Sequence, residues 1–437
     1  MGRATNFTYA EAERYLRSLE LFGMRFGLDR MRRLMITLDS PHRRFASVQV
    51  VGTNGKSSTT RMAAAILERH GLRTGAYTSP HLASFAERVE IRGRPVTPER
   101  FAAAVQKAAR AAELVDRGLP PGERVTQFEA LTAAAYAELG RAELDAAVIE
   151  AGLGGRYDAT SVIAPRVVAL TNVGLEHTRW LGPTEQHIAE EKLAVVAPEA
   201  TLVAGPLGVE ALAVAERVAA EREARLLLLG RDFQLEGGER DRFAVRLGSD
   251  LYDEISLRPL GSFQRTNFAV AVAASREFLG PLDADAVRTA AAELTLPGRL
   301  EEVGLDPLVL FDGAHNPDAA RVVRPSIERL VGSRKLVIVI SVLDDKDAAG
   351  ILSELLPLCR AVVFTRSSHL RALPPATLAS LSGQLTGTPS EIVPDPRAAL
   401  DRARELAGRA GAVVVTGSLY LLSDLVAEPA GAQEETA

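Results

Sequence analysis

Residues 52–58 read Gly-Thr-Asn-Gly-Lys-Ser-Ser, and that order is suited to holding phosphate. Gly52 and Gly55 let a backbone approach an anion. Lys56 can reach outer phosphate oxygens, and the Ser57 or Ser58 hydroxyl can ligate magnesium. The full Walker spacing fails, because Val50 stands where its first glycine belongs. A plain glycine-rich turn between a strand and a helix is the competing reading. Three further polar residues fall where strands should end: Ser79 after Arg73–Thr78, Glu150 near the close of Asp145–Ala151, and His177 beyond Val167–Thr171. In an open parallel sheet such ends converge. Hydroxyl, carboxylate and imidazole together can hold magnesium on phosphate oxygens, although imidazole is an unusual magnesium partner. Individually, Glu150 also reads as a carboxylate paired with an arginine, and His177 as a loop histidine.

In the second half, Asp312 ends a strand and is followed by Gly313-Ala314-His315-Asn316-Pro317. Asp312 can accept from a ribose hydroxyl, or the stretch is only a capped turn before a helix at Pro317. Arg299, in Pro-Gly-Arg-Leu-Glu, is placed to close across a cleft or is an exposed linker residue. Lys192 follows two glutamates, which on spacing alone reads as a solvated salt-bridge face.

The elements that position these groups alternate. Val48, Val50 and Val51 form an apolar β-branched run before the loop, and Met62, Ile66 and Leu67 recur at helical spacing after it. Thr8 with Glu11 signals a first helix to about Glu20, followed by a loop at 22–28 and a helix over Asp29–Leu38. A helix is expected from Thr97 to Asp116, another over Thr126–Leu139, and an amphipathic one over Pro183–Ala197. Gly152-Leu153-Gly154-Gly155-Arg156 is a second glycine loop. Arg231–Leu257 reads as an antiparallel hairpin and Ser262–Leu279 as a helix. A break near Leu296–Arg299 precedes a second α/β run with strands near 308–311, 336–341, 361–365 and 412–416. The resulting division is a nucleotide-binding unit over 1–296, a smaller unit over 297–426, and a disordered tail over 427–437.

Composition narrows the class. Of 437 residues, 47% are hydrophobic and 24% charged, which suits a soluble protein with ample core. A net charge of −5 argues against nucleic acid as main partner. One cysteine, Cys359, excludes an internal disulfide framework and fits a reducing cytoplasm; its apolar setting (ILSELLPLCRAVVF) suggests a buried thiol in a helix. No signal peptide or membrane-spanning run is visible, and a monomer is expected.

Taken in order, the motifs resemble those of the folylpolyglutamate synthase/dihydrofolate synthase family of the Mur ligase superfamily. The likeness rests on Phe22-Gly23 through Gly27-Leu28, Gly52–Lys56, Thr78–Leu82, Phe85–Arg88, Thr126–Glu129, Gly152–Arg156, His177-Thr178 and Glu191-Lys192. It continues through Phe263-Gln264 with Asn267, Pro297–Glu301, Asp312–Pro317, Asp345–Asp347 and Thr416–Tyr420. The resemblance implies a P-loop domain built on a mostly parallel sheet, of the Mur ligase central-domain type, followed by a smaller Rossmann-like α/β domain. It implies ATP and two magnesium ions as cofactors. Dihydropteroate or folates and L-glutamate are the implied partners, with neither membrane nor nucleic acid.

Residue by residue, Gly52, Thr53, Asn54, Gly55, Lys56, Ser57 and Ser58 would hold ATP phosphates, and Asn267, Arg299 and Asp312 would contact the nucleotide. Ser79, Glu150 and His177 would coordinate magnesium. Lys192 would be carbamylated by carbon dioxide, and His315 would lie near the transferred phosphate. Arg25, Phe26, Gly27, Leu28, Thr126, Gln127, Phe128, Glu129, Tyr157, Asp158 and Ala159 would form the pteridine pocket. Ser57, Tyr157, Ser161 and Glu176 depart from the family pattern and bear on substrate choice. A cell-wall-type Mur amino-acid ligase therefore stands as the first alternative, and a non-catalytic ATP-binding regulator as the second.

Overall fold

The computed structural model describes residues 6–19, 27–237 and 242–426. The expected tail at 427–437 and the loop residues Phe22, Gly23, Arg25 and Phe26 lie outside them. The chain divides into two compact units, one of residues 1–258 with 265–294, the other of 259–264 with 295–437. The helix Ser262–Leu279 starts in the second and continues in the first.

The first unit is built on an eight-stranded sheet. Its strands are β1 (Ala46–Val51), β2 (Thr74–Tyr77), β3 (Val89–Ile91), β4 (Arg94–Pro95), β5 (Ala146–Glu150), β6 (Val167–Leu170), β7 (Thr201–Ala204) and β8 (Arg225–Leu228), in the order β4-β3-β2-β5-β1-β6-β7-β8. The run β2-β5-β1-β6-β7-β8 is parallel, and β3 and β4 close one edge antiparallel. Every residue of β5 is buried, as both faces of a parallel sheet require. One face is covered by Tyr9–Ser18, Asp29–Thr37 and the Ala-rich Pro98–Asp116 and Gln127–Arg141, which pack around Tyr77, Phe101 and Tyr136. Small side chains let these helices lie close.

Arg231–Leu257 is not a two-stranded hairpin. It forms a three-stranded antiparallel sheet of β9 (Phe233–Gly237), β10 (Arg242–Leu247) and β11 (Asp250–Ser256), in the order β11-β10-β9. Phe243, Val245 and Leu247 alternate inward with Ala244 and Arg246 between them, so β10 buries one face.

The second unit carries a six-stranded sheet of β12 (Arg299–Leu305), β13 (Leu308–Asp312), β14 (Leu336–Ile340), β15 (Ala361–Phe364), β16 (Ser390–Ile392) and β17 (Ala412–Thr416). The order is β12-β13-β17-β14-β15-β16, with only β12 antiparallel. Arg299 is thus no linker residue: it opens β12 in register with Asp312. Cys359 is not helical. It follows a short turn, Leu356–Leu358, after the helix Ala348–Leu355, and is half-buried, with its thiol pushed up to about 12 by burial.

Candidate active site

Sheet order decides which tips meet. β1 lies between β5 and β6, and β2 lies beyond β5. The loop after β1, Glu150, Ser79 and the residues after β6 therefore share one edge of the first unit. Gly52 and Gly55 take φ of 147° and 82°, conformations that favour glycine. A Cβ on Gly52 would lie 1.9 Å from Thr171 Oγ1, and one on Gly55 would lie 2.5 Å from Asn267 Oδ1. Asn267, expected to contact the nucleotide, is thereby seated against the loop.

The loop is braced by the segment that follows β6, whose role the sequence left unassigned. Asn172 Oδ1 accepts from Asn54 N at 3.0 Å, while Asn172 Nδ2 and Thr171 Oγ1 donate to Asn54 O at 3.1 and 2.6 Å. Thr53 Oγ1 accepts from Gly174 N at 3.0 Å. Lys56 Nζ donates to Gly52 O and Thr53 O, at 3.0 and 2.9 Å, which folds the side chain back over the loop. Helix Lys56–Arg69 starts at this point and aims its unpaired N–H groups into the loop.

Glu150 is buried, and both carboxylate oxygens are held. Oε1 accepts from Ser57 Oγ at 2.9 Å, and Oε2 accepts from Ser79 N at 2.9 Å. These bonds tie Glu150 to a hydroxyl and a backbone amide. A carboxylate oxygen has two lone pairs, and a donor set of one carboxylate with hydroxyls suits a hard cation. His177 sits beyond β6 with φ 53°, at the start of the short helix Thr178–Leu181, its Nε2 4.0 Å from Glu176 Oε1. Among the described residues no three His, Cys, Asp or Glu side chains gather to ligate a metal.

Lys192 overturns the solvated-face reading. It lies on helix Glu185–Leu193, shorter than the expected 183–197 and capped by Thr184. It is only 2% exposed, and Nζ donates to Gly52 O at 2.8 Å and Leu153 O at 3.0 Å. One ammonium thus joins the two glycine loops. Burial first, then the charge of Lys56, lowers its pKa to about 7. The second loop is held by Asp158, whose Oδ2 accepts from Leu153 N and Gly154 N at 3.0 and 3.1 Å, and whose Oδ1 accepts from Thr160 N at 3.0 Å. Gln49, buried within β1, donates to Thr160 Oγ1 at 3.2 Å.

Several residues expected to line a pteridine pocket also make structural contacts. Thr126 and Glu129 form a reciprocal cap at the start of Gln127–Arg141, and Glu129 is also paired with the buried Arg30 at 3.0 Å. Gln127 Nε2 donates to Leu16 O at 2.8 Å. Phe128 packs against Gly152, where a Cβ would come within 2.6 Å of its ring. Asp158 spends its carboxylate on the loop, and Ala159 is buried. Tyr157 is 45% exposed, and Gly27 and Leu28 are half-buried.

In the second unit, Asp312 is buried with Oδ2 accepting from Leu300 N and Oδ1 from Ala314 N, both at 2.8 Å. Burial raises its pKa against those two bonds and the Arg299 charge. Its carboxylate shapes the turn, and the cap of helix Pro317–Val331 belongs to Asn316. His315 Nδ1 lies 2.8 Å from Gly313 O.

A phosphate-type loop on a parallel sheet, with a second α/β sheet behind it in sequence, defines a nucleotide-dependent ligase architecture. The Mur ligase middle domain matches residues 50–275, and the Mur ligase glutamate ligase domain matches residues 298–419. A dihydrofolate synthase/folylpolyglutamate synthase of Mycobacterium tuberculosis is 35% identical over 431 residues, covering 90% of this chain and 88% of that protein. A probable bifunctional folylpolyglutamate synthase/dihydropteroate synthase of Haloferax volcanii is 37% identical over 427 residues, covering 95% of this chain; the chain spans 50% of that relative's length. Among solved structures, Mycobacterium tuberculosis folylpolyglutamate synthase complexed with ADP superposes with a TM-score of 0.90 at 32% identity, covering 95% of this chain and 97% of that one. A bifunctional folylpolyglutamate synthase/dihydrofolate synthase with Mn, AMPPNP and L-glutamate bound gives 0.83 at 29% identity, covering 96% and 97%. The chain belongs to the folylpolyglutamate synthase/dihydrofolate synthase family of Mur ligases.

Proposed function

We propose that this ATP-dependent ligase joins L-glutamate to dihydropteroate, to a folate, or to both, using the strand-tip cluster of its first unit. A carboxylate resists nucleophiles because of its charge. Its oxygen attacks the γ-phosphorus of ATP, the bond to the β-phosphate oxygen breaks, and ADP leaves. The acyl phosphate then takes the glutamate amine at its carbonyl carbon, phosphate departs with the C–O bond, and the amine proton is lost. Backbone N–H groups of the Gly52–Gly55 loop and the start of helix Lys56–Arg69 receive phosphate oxygens, and Lys56 leaves its two carbonyls to reach them. Ser57, Ser79, Glu150 and His177 would hold magnesium, which when bound neutralises charge on the phosphates.

The observation that carries this reading is Lys192, a buried amine hydrogen-bonded to both glycine loops. With its pKa lowered to about 7, a large share is neutral and nucleophilic at cellular pH. Attack on carbon dioxide with loss of one proton gives a carbamate there. That puts an anion beside Lys56 where the neutral amine stood, or, with loss of one further proton, where its ammonium stood. In the second unit Asp312 serves the nucleotide indirectly, through the turn that sets Arg299 and His315.

The test is a panel. Dihydropteroate, tetrahydrofolate and UDP-muramoyl acids are each supplied with ATP and L-glutamate, ADP is measured, and products are weighed by mass spectrometry. Glutamylated pterin products are expected. Turnover with the muramoyl acid alone would overturn the folate reading, and ATP consumption with no acid would overturn the ligase reading.

A further inference from the structure

The opposite edge of the first unit's sheet carries an open depression of about 480 Å³ lined by Arg73, Arg92, Arg100 and Arg141 over an apolar floor of Ile91, Ala142 and Leu144. Arg73 precedes β2 and Leu144 precedes β5, so this is the end of those strands away from Ser79 and Glu150. Six residues of extended chain put it about 20 Å from Ser79. It is no part of the phosphate loop.

Four guanidiniums facing one hollow repel each other unless anions stand among them. The protein supplies some. Arg100 meets Glu138 through Nε and Nη2, and Arg141 meets the same carboxylate through Nε and Nη2. Glu138 is almost fully buried, so two cations share one carboxylate. Arg73 is paired with Asp145 at 3.2 Å and, more loosely, with Glu143 at 3.7 Å. A guanidinium has five N–H donors in a planar fork, so each of these keeps donors for another oxygen.

Arg92 has a different status. It stands in the β3–β4 turn with φ 52°, ahead of Gly93 at φ 64°. Turns with both central residues in the left-handed region favour Asn-Gly or Asp-Gly, and an arginine there costs about 1 kcal/mol. Among the described residues its guanidinium makes no hydrogen bond or ion pair, and acts on Asp145 only through its field. A turn of left-handed residues thus presents an exposed arginine, with no direct side-chain partner among the described residues, to a hollow lined by three other arginines over partly buried aliphatic side chains.

We propose that this depression binds a small organic polyanion, a molecule with two or more carboxylates or phosphates a few ångströms apart, with Arg92 as the group that recognises it. Oligocarboxylates and oligophosphates share that chemistry. The test uses γ-linked triglutamate and tripolyphosphate as separate probes in calorimetry on the full chain, with saturating Mg-ADP to fill the phosphate loop. Wild-type protein is expected to bind at least one probe. Arg92→Glu is expected to weaken that binding about tenfold or more, since a charge-assisted pair becomes a repulsion. Ligase turnover without probe stays at the wild-type rate. Arg92→Gly, which relaxes the turn, is expected to weaken binding with no loss of thermal stability. Triglutamate binding alone identifies a carboxylate ligand and tripolyphosphate binding alone a phosphate ligand. No heat from either probe with ADP bound, or equal affinity in Arg92→Glu, would overturn the site.

Discussion

Lys192 is a base held away from its ordinary proton. The folded pKa of about 7 lies below the unfolded value of 10.5, so between those pH values the unfolded chain binds more protons than the folded one. Stability therefore rises as pH goes from 7 towards 10, and the burden of this group is fully present below 7. Urea unfolding across that range is expected to show a rise that Lys192→Met lacks, the difference amounting to a few kcal/mol. Parallel curves would mean that the amine is not buried in its charged form. Lys56 belongs to the same scale. On the proposed function Lys56→Ala removes a cation that would meet the phosphates, and ADP release is expected to fall by about 10²–10³ with an unchanged circular dichroism spectrum. A rate within error of wild type would remove Lys56 from the chemistry.

At the scale of elements, the two glycine loops are held by contacts that leave no room. Gly155 has φ 144°, and a Cβ there would lie 2.2 Å from Glu191 O, on the helix that carries Lys192. Gly155→Ala must push that helix aside. The expected result is a loss of about 2–4 kcal/mol in thermal unfolding together with lost turnover, since strain at a special backbone position and displacement of Lys192 add. Unchanged melting would show that the loop can move freely. The cap at Thr126 is a milder device: Thr126→Ala is expected to cost about 1 kcal/mol in thermal unfolding, since Glu129 loses the hydroxyl but keeps Thr126 N and Arg30.

At the scale of the molecule, each unit has a core of its own. One gathers around Tyr77, Phe101 and Tyr136, the other around Leu310, Ile338, Phe364 and Val414. Phe263 and Leu260 reach the second core from a segment that precedes Thr295 by some thirty residues of chain. Phe263→Ala is expected to lower the unfolding transition of the second unit by about 2 kcal/mol and to spare that of the first, as read by calorimetry. A shift in the first transition alone would place Phe263 in the wrong core. Among the described residues, no helix is long and apolar enough to cross a membrane.

What could be known from the chain alone was whatever local chemistry dictates. The alternation of β-branched runs with helical spacing marked β1, β5, β6, β13, β14, β15 and β17, and the helix Ser262–Leu279 fell where its periodicity placed it. Order along the chain also put Lys56, Ser79 and Glu150 at strand ends. Tertiary structure decided what those side chains touch. The short edge strands β4 and β16 carry little hydrophobic signal, and β12 was hidden because its partner, β13, sets its register. Lys192 read as solvated because sequence neighbours define a helix face but not what lies opposite it. Two carbonyls from loops 140 and 39 residues away make it a buried amine. Likewise Asp158, Asp312 and Glu129 look like ligand groups in a string of letters, and only the fold shows the backbone amides and the arginine that they also bind. Hydrogen bonds between residues distant in sequence leave no periodic trace, which is why the elements were legible and their contacts were not.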